Sequence, residues 1–183
     1  MRKLVRGSVF VDYVRMIRAR PDVEWASQLA DADERLLERR ISDHDWYPFD
    51  ALERMGGAIL GEVAQWDMDR VEAWGRVTLD NLDRRYGGFV TAGAPLASLR
   101  GFSEVCPELL NFPGIQVGDL VDGSGRLIID IPADQHVQTA AYHLMVGLIT
   151  RLLGRSGAGT VRHAHRYAAW AGDPLTVIDF SWQ

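Results

Sequence analysis

Apolar positions recur at helical spacing through the N-terminal half of the chain. Val9, Phe10, Tyr13, Val14 and Ile17 fall three and four residues apart, which sets them on one stripe of a helix that Arg20-Pro21 stops. Leu29, Leu36, Leu37 and Ile41 predict one or two short helices. A stronger helix begins at Pro48, where a missing N–H costs nothing, and presents Phe49, Leu52, Met55, Ile59, Leu60 and Val63. Asp67 or Asp69 suits the cap of the next helix, lined by Val71, Trp74, Thr78 and Leu82 until Gly87-Gly88 ends it. A further helix over 95–105 carries Leu96, Leu99 and Phe102.

After Cys106-Pro107 the period changes. Segments 114–121 and 126–131 flank Asp122-Gly123-Ser124-Gly125, a composition that tolerates positive φ, and so predict a β-hairpin. A long helix follows over 134–153, with Val137, Ala140, Ala141, Leu144, Leu148 and Leu152 on its apolar side. The glycine-rich break 154–159 leads to a second hairpin, 160–170 and 175–182, joined through Ala171-Gly172-Asp173-Pro174. The order is helices, then β-β-α-β-β. It predicts an α+β fold in which an N-terminal helical subdomain packs on a C-terminal antiparallel sheet with one long helix. With 183 residues, the chain is expected to form a single domain over 1–183, a helical half at 1–105 and an α/β half at 106–183 around one apolar interior.

Composition narrows the class. Hydrophobic residues make up 47% and charged ones 25%, the balance of a globular protein and not of a disordered or fibrous one. Cys106 is the single cysteine and forms no internal disulfide, and no basic segment leads into an apolar run at the N-terminus, so the expected location is the cytoplasm. The apolar stretch 140–153 is broken by His143 and Gly147 and ends short of the ~20 residues that span a bilayer, so no membrane partner is expected. Net charge is −5, yet residues 1–20 hold six basic residues against one acid. Arg2, Lys3, Arg6, Arg15, Arg18 and Arg20 read as the wet side of a helix, and no nucleic-acid partner is expected.

Few residues carry chemistry. His163 and His165 alternate onto one strand face, a spacing that chelates a metal only with a third ligand, and neither Cys nor carboxylate accompanies them; no metal is expected. Asp43-His44-Asp45 sets a base between acids, but neighbours in a loop do not converge on one point, and helix capping is the simpler role. Nothing beside Cys106 lowers its pKa, so it reads as a buried structural thiol. The glycine-rich segment 154–159 follows a helix and precedes a strand, the reverse of a phosphate cradle. Aromatic residues crowd the helical half: Phe10, Tyr13, Trp25, Trp46, Tyr47, Phe49, Trp66, Trp74, Tyr86 and Phe89. Each such ring buries ~150–250 Å², enough for several together to fill a core or wall a cavity.

Gly7-Ser8-Val9-Phe10, Trp46-Tyr47-Pro48-Phe49 and the closing hairpin with Gly172-Asp173-Pro174 resemble an uncharacterised, domain-sized family expanded in myxobacteria. Helices followed by β-β-α-β-β, with the segment from Tyr142 to Ile149 in the long helix, are also similar to the haem-nitric-oxide/oxygen-binding domains and to vinyl-reductase-like ligand-binding domains. The resemblance to the haem-binding members implies a proximal histidine in the helix before the sheet and a Tyr-x-Ser-x-Arg grip on the propionates. This chain has no Tyr-x-Ser-x-Arg, and Cys106 stands near the expected histidine position. Vinyl-reductase-like domains that carry a metal use cysteines in the final hairpin, where Leu175 and Thr176 stand. The resemblance therefore implies a non-enzymatic sensory or adaptor domain, free of haem and other cofactors, that binds an apolar small molecule or a protein partner in signalling. The pocket is expected to be lined by Phe10, Tyr13, Trp46, Phe49, Trp74, Leu99, Tyr142 and Leu144. The alternatives are a protein-interaction module that forms a homodimer without ligand, and a haem-based gas sensor.

Overall fold

The computed structural model describes residues 1–183, which divide into two compact units. The first comprises Met1–Asp67 with Leu109–Phe112, the second Met68–Glu108 with Pro113–Gln183. The first boundary falls after Asp67, because the helix that follows it packs on the long helix over 135–155.

In the first unit, β1 (Leu4–Arg6) pairs antiparallel with β2 (Trp46–Pro48), and Val5 also bridges Leu110. This small sheet is invisible in the hydrophobic pattern, because three-residue strands are too short to display alternation. Helices α1 (Gly7–Arg18), α2 (Asp31–Leu37) and α3 (Phe49–Ile59) complete the unit. The expected stripe on α1 is the one that packs: Phe10, Val14 and Ile17 are buried, as are Leu52, Met55 and Ile59 of α3, which lies against α1. Pro48 sits one place earlier than expected, at the cap of α3, and the helix then widens into a π-turn over Leu60–Ala64.

Segment 43–45 caps a helix, but α1 and not the one that follows it. The carbonyls of Asp45 and Asp43 accept from the N–H groups of Gly7 and Ser8 at 2.8 and 3.1 Å, satisfying donors that an α-helix start leaves open. That docking is why Gly7 is glycine: a Cβ there would lie 1.9 Å from the Ser42 carbonyl oxygen. A charge is also built into this unit. Asp33 is 0% exposed, accepts from the Ala30 N–H, and takes a two-pronged contact from Arg54 Nε and Nη2 at 2.6 and 2.8 Å.

In the second unit, α4 (Met68–Arg85) and α5 (Pro95–Leu109, whose last residue counts with the first unit) precede the hairpin β3 (Ile115–Val121) and β4 (Ser124–Ile129). Next come α6 (Gln135–Arg155), β5 (Val161–Tyr167) and β6 (Thr176–Trp182). The sheet order is β3-β4-β6-β5, antiparallel throughout, as the element order predicts. Helix α5 runs through Cys106-Pro107 to Leu109 instead of stopping before them. Proline so near a helix end forfeits only the N–H bond of its own turn, which is why the composition signal misplaces the boundary.

Leu127 and Ile129 of β4 and Ile178 and Phe180 of β6 are buried on one sheet face, with Ile149 of α6 and Leu99 of α5 beside Leu127 and Phe180. The opposite face carries a charge ladder: Arg126 contacts Asp179 of its cross-strand partner and Asp119 of β3, and Arg166 of β5 holds the other oxygen of Asp179. Helices α4 and α6 touch backbone to backbone. A Cβ on Gly75 would lie 2.0 Å from the Leu144 carbonyl oxygen, and one on Gly147 would lie 2.0 Å from that of Glu72.

Two outcomes follow from these contacts. Gly75→Ala or Gly147→Ala forces the helices apart and should cost at least about 2 kcal/mol in urea unfolding, whereas Gly154→Ala, which meets nothing within 4 Å, should stabilise by roughly 0.5–1 kcal/mol. Equal effects at all three sites would remove the close-approach explanation. Arg54→Ala strands a buried carboxylate and should cost about 3 kcal/mol, with Arg54→Lys recovering only part because an ammonium cannot make the two-pronged contact.

Candidate functional site

Polar and aromatic groups of the second unit gather where α6 meets β5. Asp134 fixes the start of α6 by accepting from the N–H groups of His136 and Val137. Tyr142 and His143 follow as neighbours on that helix, and successive helical residues point about 100° apart, so they reach different partners. Tyr142 turns to β5, where its hydroxyl lies 3.2 Å from His163 Nδ1 and its ring packs on His165 and Trp170 at centroid distances of 6.0 and 4.9 Å. His143 turns to α4, where its Nδ1–H donates to Glu72 Oε1 at 2.9 Å.

His163 and His165 share a face of β5, and that face is the one that encloses Tyr142. Burial, and after it the Glu72 charge, pushes the Tyr142 phenol up, so the hydroxyl stays protonated and donates to His163 Nδ1 when that ring is in its Nε2–H tautomer. The histidine pair clasps an aromatic ring, and no group of three or more His, Cys, Asp or Glu residues converges as a metal site would require.

The eight residues expected to line a pocket occupy varied surroundings. In the first unit, Phe10 stacks on Tyr47 at 4.8 Å, Phe49 meets Phe112 edge-on at 5.0 Å, and Tyr13 lies half-buried over Gly56. Trp46 is 37% exposed, with the Arg6 guanidinium 3.9 Å above its ring. In the second unit, Leu99 packs near Gly125 of the sheet, Tyr142 sits in the clasp, and Trp74 and Leu144 are half-buried. A cavity beside Leu99, lined also by Leu127, Ile149 and Phe180, measures about 10 Å³, and another beside Ile129 and Thr176 is equally small. Each has room for a water molecule and no more. Trp170 and Glu72 escape a reading by sequence spacing, since only the fold brings them beside Tyr142 and His143.

Cys106 is buried in α5, and burial pushes its thiol from an ordinary 9.0 up to about 12. Burial, helped by Asp12, likewise pushes Tyr13 from 10.0 up to about 12. A raised pKa means that the folded state holds its proton more tightly than the unfolded state does. The stabilisation is therefore complete below pH 9 and is lost as pH climbs toward 12, at up to about 1.4 kcal/mol per pH unit for each group. Urea unfolding of the intact protein should weaken already between pH 9 and 10, and Cys106→Ala should remove that first decline while leaving the later one due to Tyr13. An identical slope in the variant between pH 9 and 10 would discount the cysteine.

No protein-family model and no curated protein matches the sequence. Solved structures do match in fold. An H-NOX protein from S. oneidensis in the Fe(II)NO ligation state is 14% identical, with a TM-score of 0.66 over 97% of this chain and 99% of that one. An oxygen-binding H-NOX domain related to soluble guanylate cyclases is 10% identical, with a TM-score of 0.61 over 97% and 95%. A mutant of the T. tengcongensis H-NOX is also 10% identical, at 0.59 over 97% of each chain. The two units, with the four-stranded antiparallel sheet and its long helix, thus have the fold of the H-NOX domains.

Proposed function

We propose that this chain is a cytoplasmic, non-enzymatic sensory or adaptor domain that keeps the H-NOX fold, takes up no haem, and receives an apolar small molecule or a partner protein as its input. The fold supports the sensory reading, because the neighbours include proteins described with nitric oxide and with oxygen bound. The haem-free part rests on α5, the helix that precedes the sheet. It contains no histidine, and the sulfur it offers, Cys106, is a buried neutral thiol, whereas the haem ligand among cysteines is the thiolate. None of the five tyrosines is followed by serine two places on and arginine four places on, so the propionate grip is also missing. These residues do not fit haem held in the H-NOX manner.

The aromatic side chains of the first unit support an apolar input, while the two water-sized cavities of the second do not provide room for one. Absorption titration of the purified protein with hemin tests the haem-free reading. The expected spectra are those of free hemin at every ratio. A shifted Soret band that saturates at one equivalent would overturn it.

A further inference from the structure

The edge strand β5 differs from the rest of the sheet. It ends the order β3-β4-β6-β5, so along Val161–His165, before the bulge between His165 and Tyr167, every second residue directs its N–H and C=O away from the sheet. From Arg162 to Tyr167 all its residues are exposed, whereas the opposite edge, β3, is half-buried over much of its length. Charge sets it apart as well. In a chain of net charge −5, no Asp or Glu occurs between Asp134 and Asp173, a stretch that holds four arginines and four of the five histidines.

Two of those arginines, Arg151 and Arg155, are neutralised by Asp80 and Asp83 of α4. The other two lie on β5. Arg162 carries no ion pair, and Arg166 shares the single Asp179 carboxylate with Arg126. On the other face of the strand, His163 and His165 lean on Tyr142, which holds β5 in place from the helix side.

We propose that β5 is an open strand edge that receives an extended, acidic segment of a partner polypeptide by strand addition. The outward backbone groups would supply the ladder, and Arg162 and Arg166, on one face, would pair with carboxylates about four residues apart on one face of the incoming strand. A second copy of this chain fits poorly. Pairing the whole of β5 antiparallel with its own copy sets Arg162 opposite Arg166 twice over, and like charges directly opposed destabilise a ladder. The same two arginines keep the edge from self-association while leaving it attractive to an acidic strand.

Fluorescence anisotropy with the full chain tests this, using a labelled seven-residue peptide that alternates Glu with Val. Two control peptides carry Lys in place of Glu, or N-methyl groups on alternate backbone nitrogens. The acidic peptide should bind, and both controls should bind at least about tenfold more weakly. Arg162→Glu, at an exposed and unpaired position, should weaken the acidic peptide by about tenfold while leaving the circular dichroism unchanged. Hydrogen exchange should show new protection on β5. Absence of binding by the acidic peptide, equal binding of the N-methylated one, or protection confined to other strands overturns the proposal. So does a concentration-dependent dimer by light scattering that Arg162→Glu strengthens, since the edge would then be engaged by a second copy.

Discussion

Where α4 and α6 cross, two helix backbones meet with no side chain between them, and the arrangement of the second unit descends from that contact. Gly75 faces the Leu144 carbonyl and Gly147 faces that of Glu72, each with no room for a methyl group. Glycine inside a helix costs about 1 kcal/mol relative to alanine, so two of them at one crossing are explained by the approach they permit. The contact fixes the rotation of α6 about its own axis. With that set, Met145, Leu148, Ile149 and Leu152 are buried, Tyr142 is delivered to β5 and His143 to Glu72. A modest turn of the helix would exchange those partners and dissolve the clasp.

The first unit is organised by polar docking as much as by its apolar stripe. Carbonyls of the 43–45 loop close the start of α1, and the Tyr47 hydroxyl accepts from the Ser42 N–H while its ring stacks on Phe10. Each position of Trp46-Tyr47-Pro48-Phe49 then has its own task. Trp46 faces solvent under Arg6, Tyr47 ties loop to helix, Pro48 caps α3 and Phe49 enters the core.

The fold persists at 10–15% identity to H-NOX structures because it depends on patterns of burial, turns and close approaches that many residues satisfy. Haem chemistry depends on particular atoms at particular places. In α5 a neutral, buried sulfur occupies the helix where the resemblance implies an imidazole. A buried thiol is content as a small hydrophobe, so Cys106 serves the packing of the helix.

Much of the architecture was legible along the chain. The stripe from Phe10 to Ile17 and the Asp122-Gly123 turn each announce an element through local physics, periodicity or backbone tolerance, and those forces act over a few residues. The β-β-α-β-β order then constrains the sheet to an antiparallel one. Hidden were the events that depend on distant partners: the three-residue pairing of β1 with β2, the continuation of α5 past Pro107, and the boundary after Asp67. The site follows the same division. The spacing of His163 and His165 reveals that they share a face, but only tertiary packing puts Tyr142 and Trp170 against that face and leaves the far edge of β5 open. Local sequence sets which way a side chain points within its element; what it meets there is decided by the approach of backbones far apart in the chain.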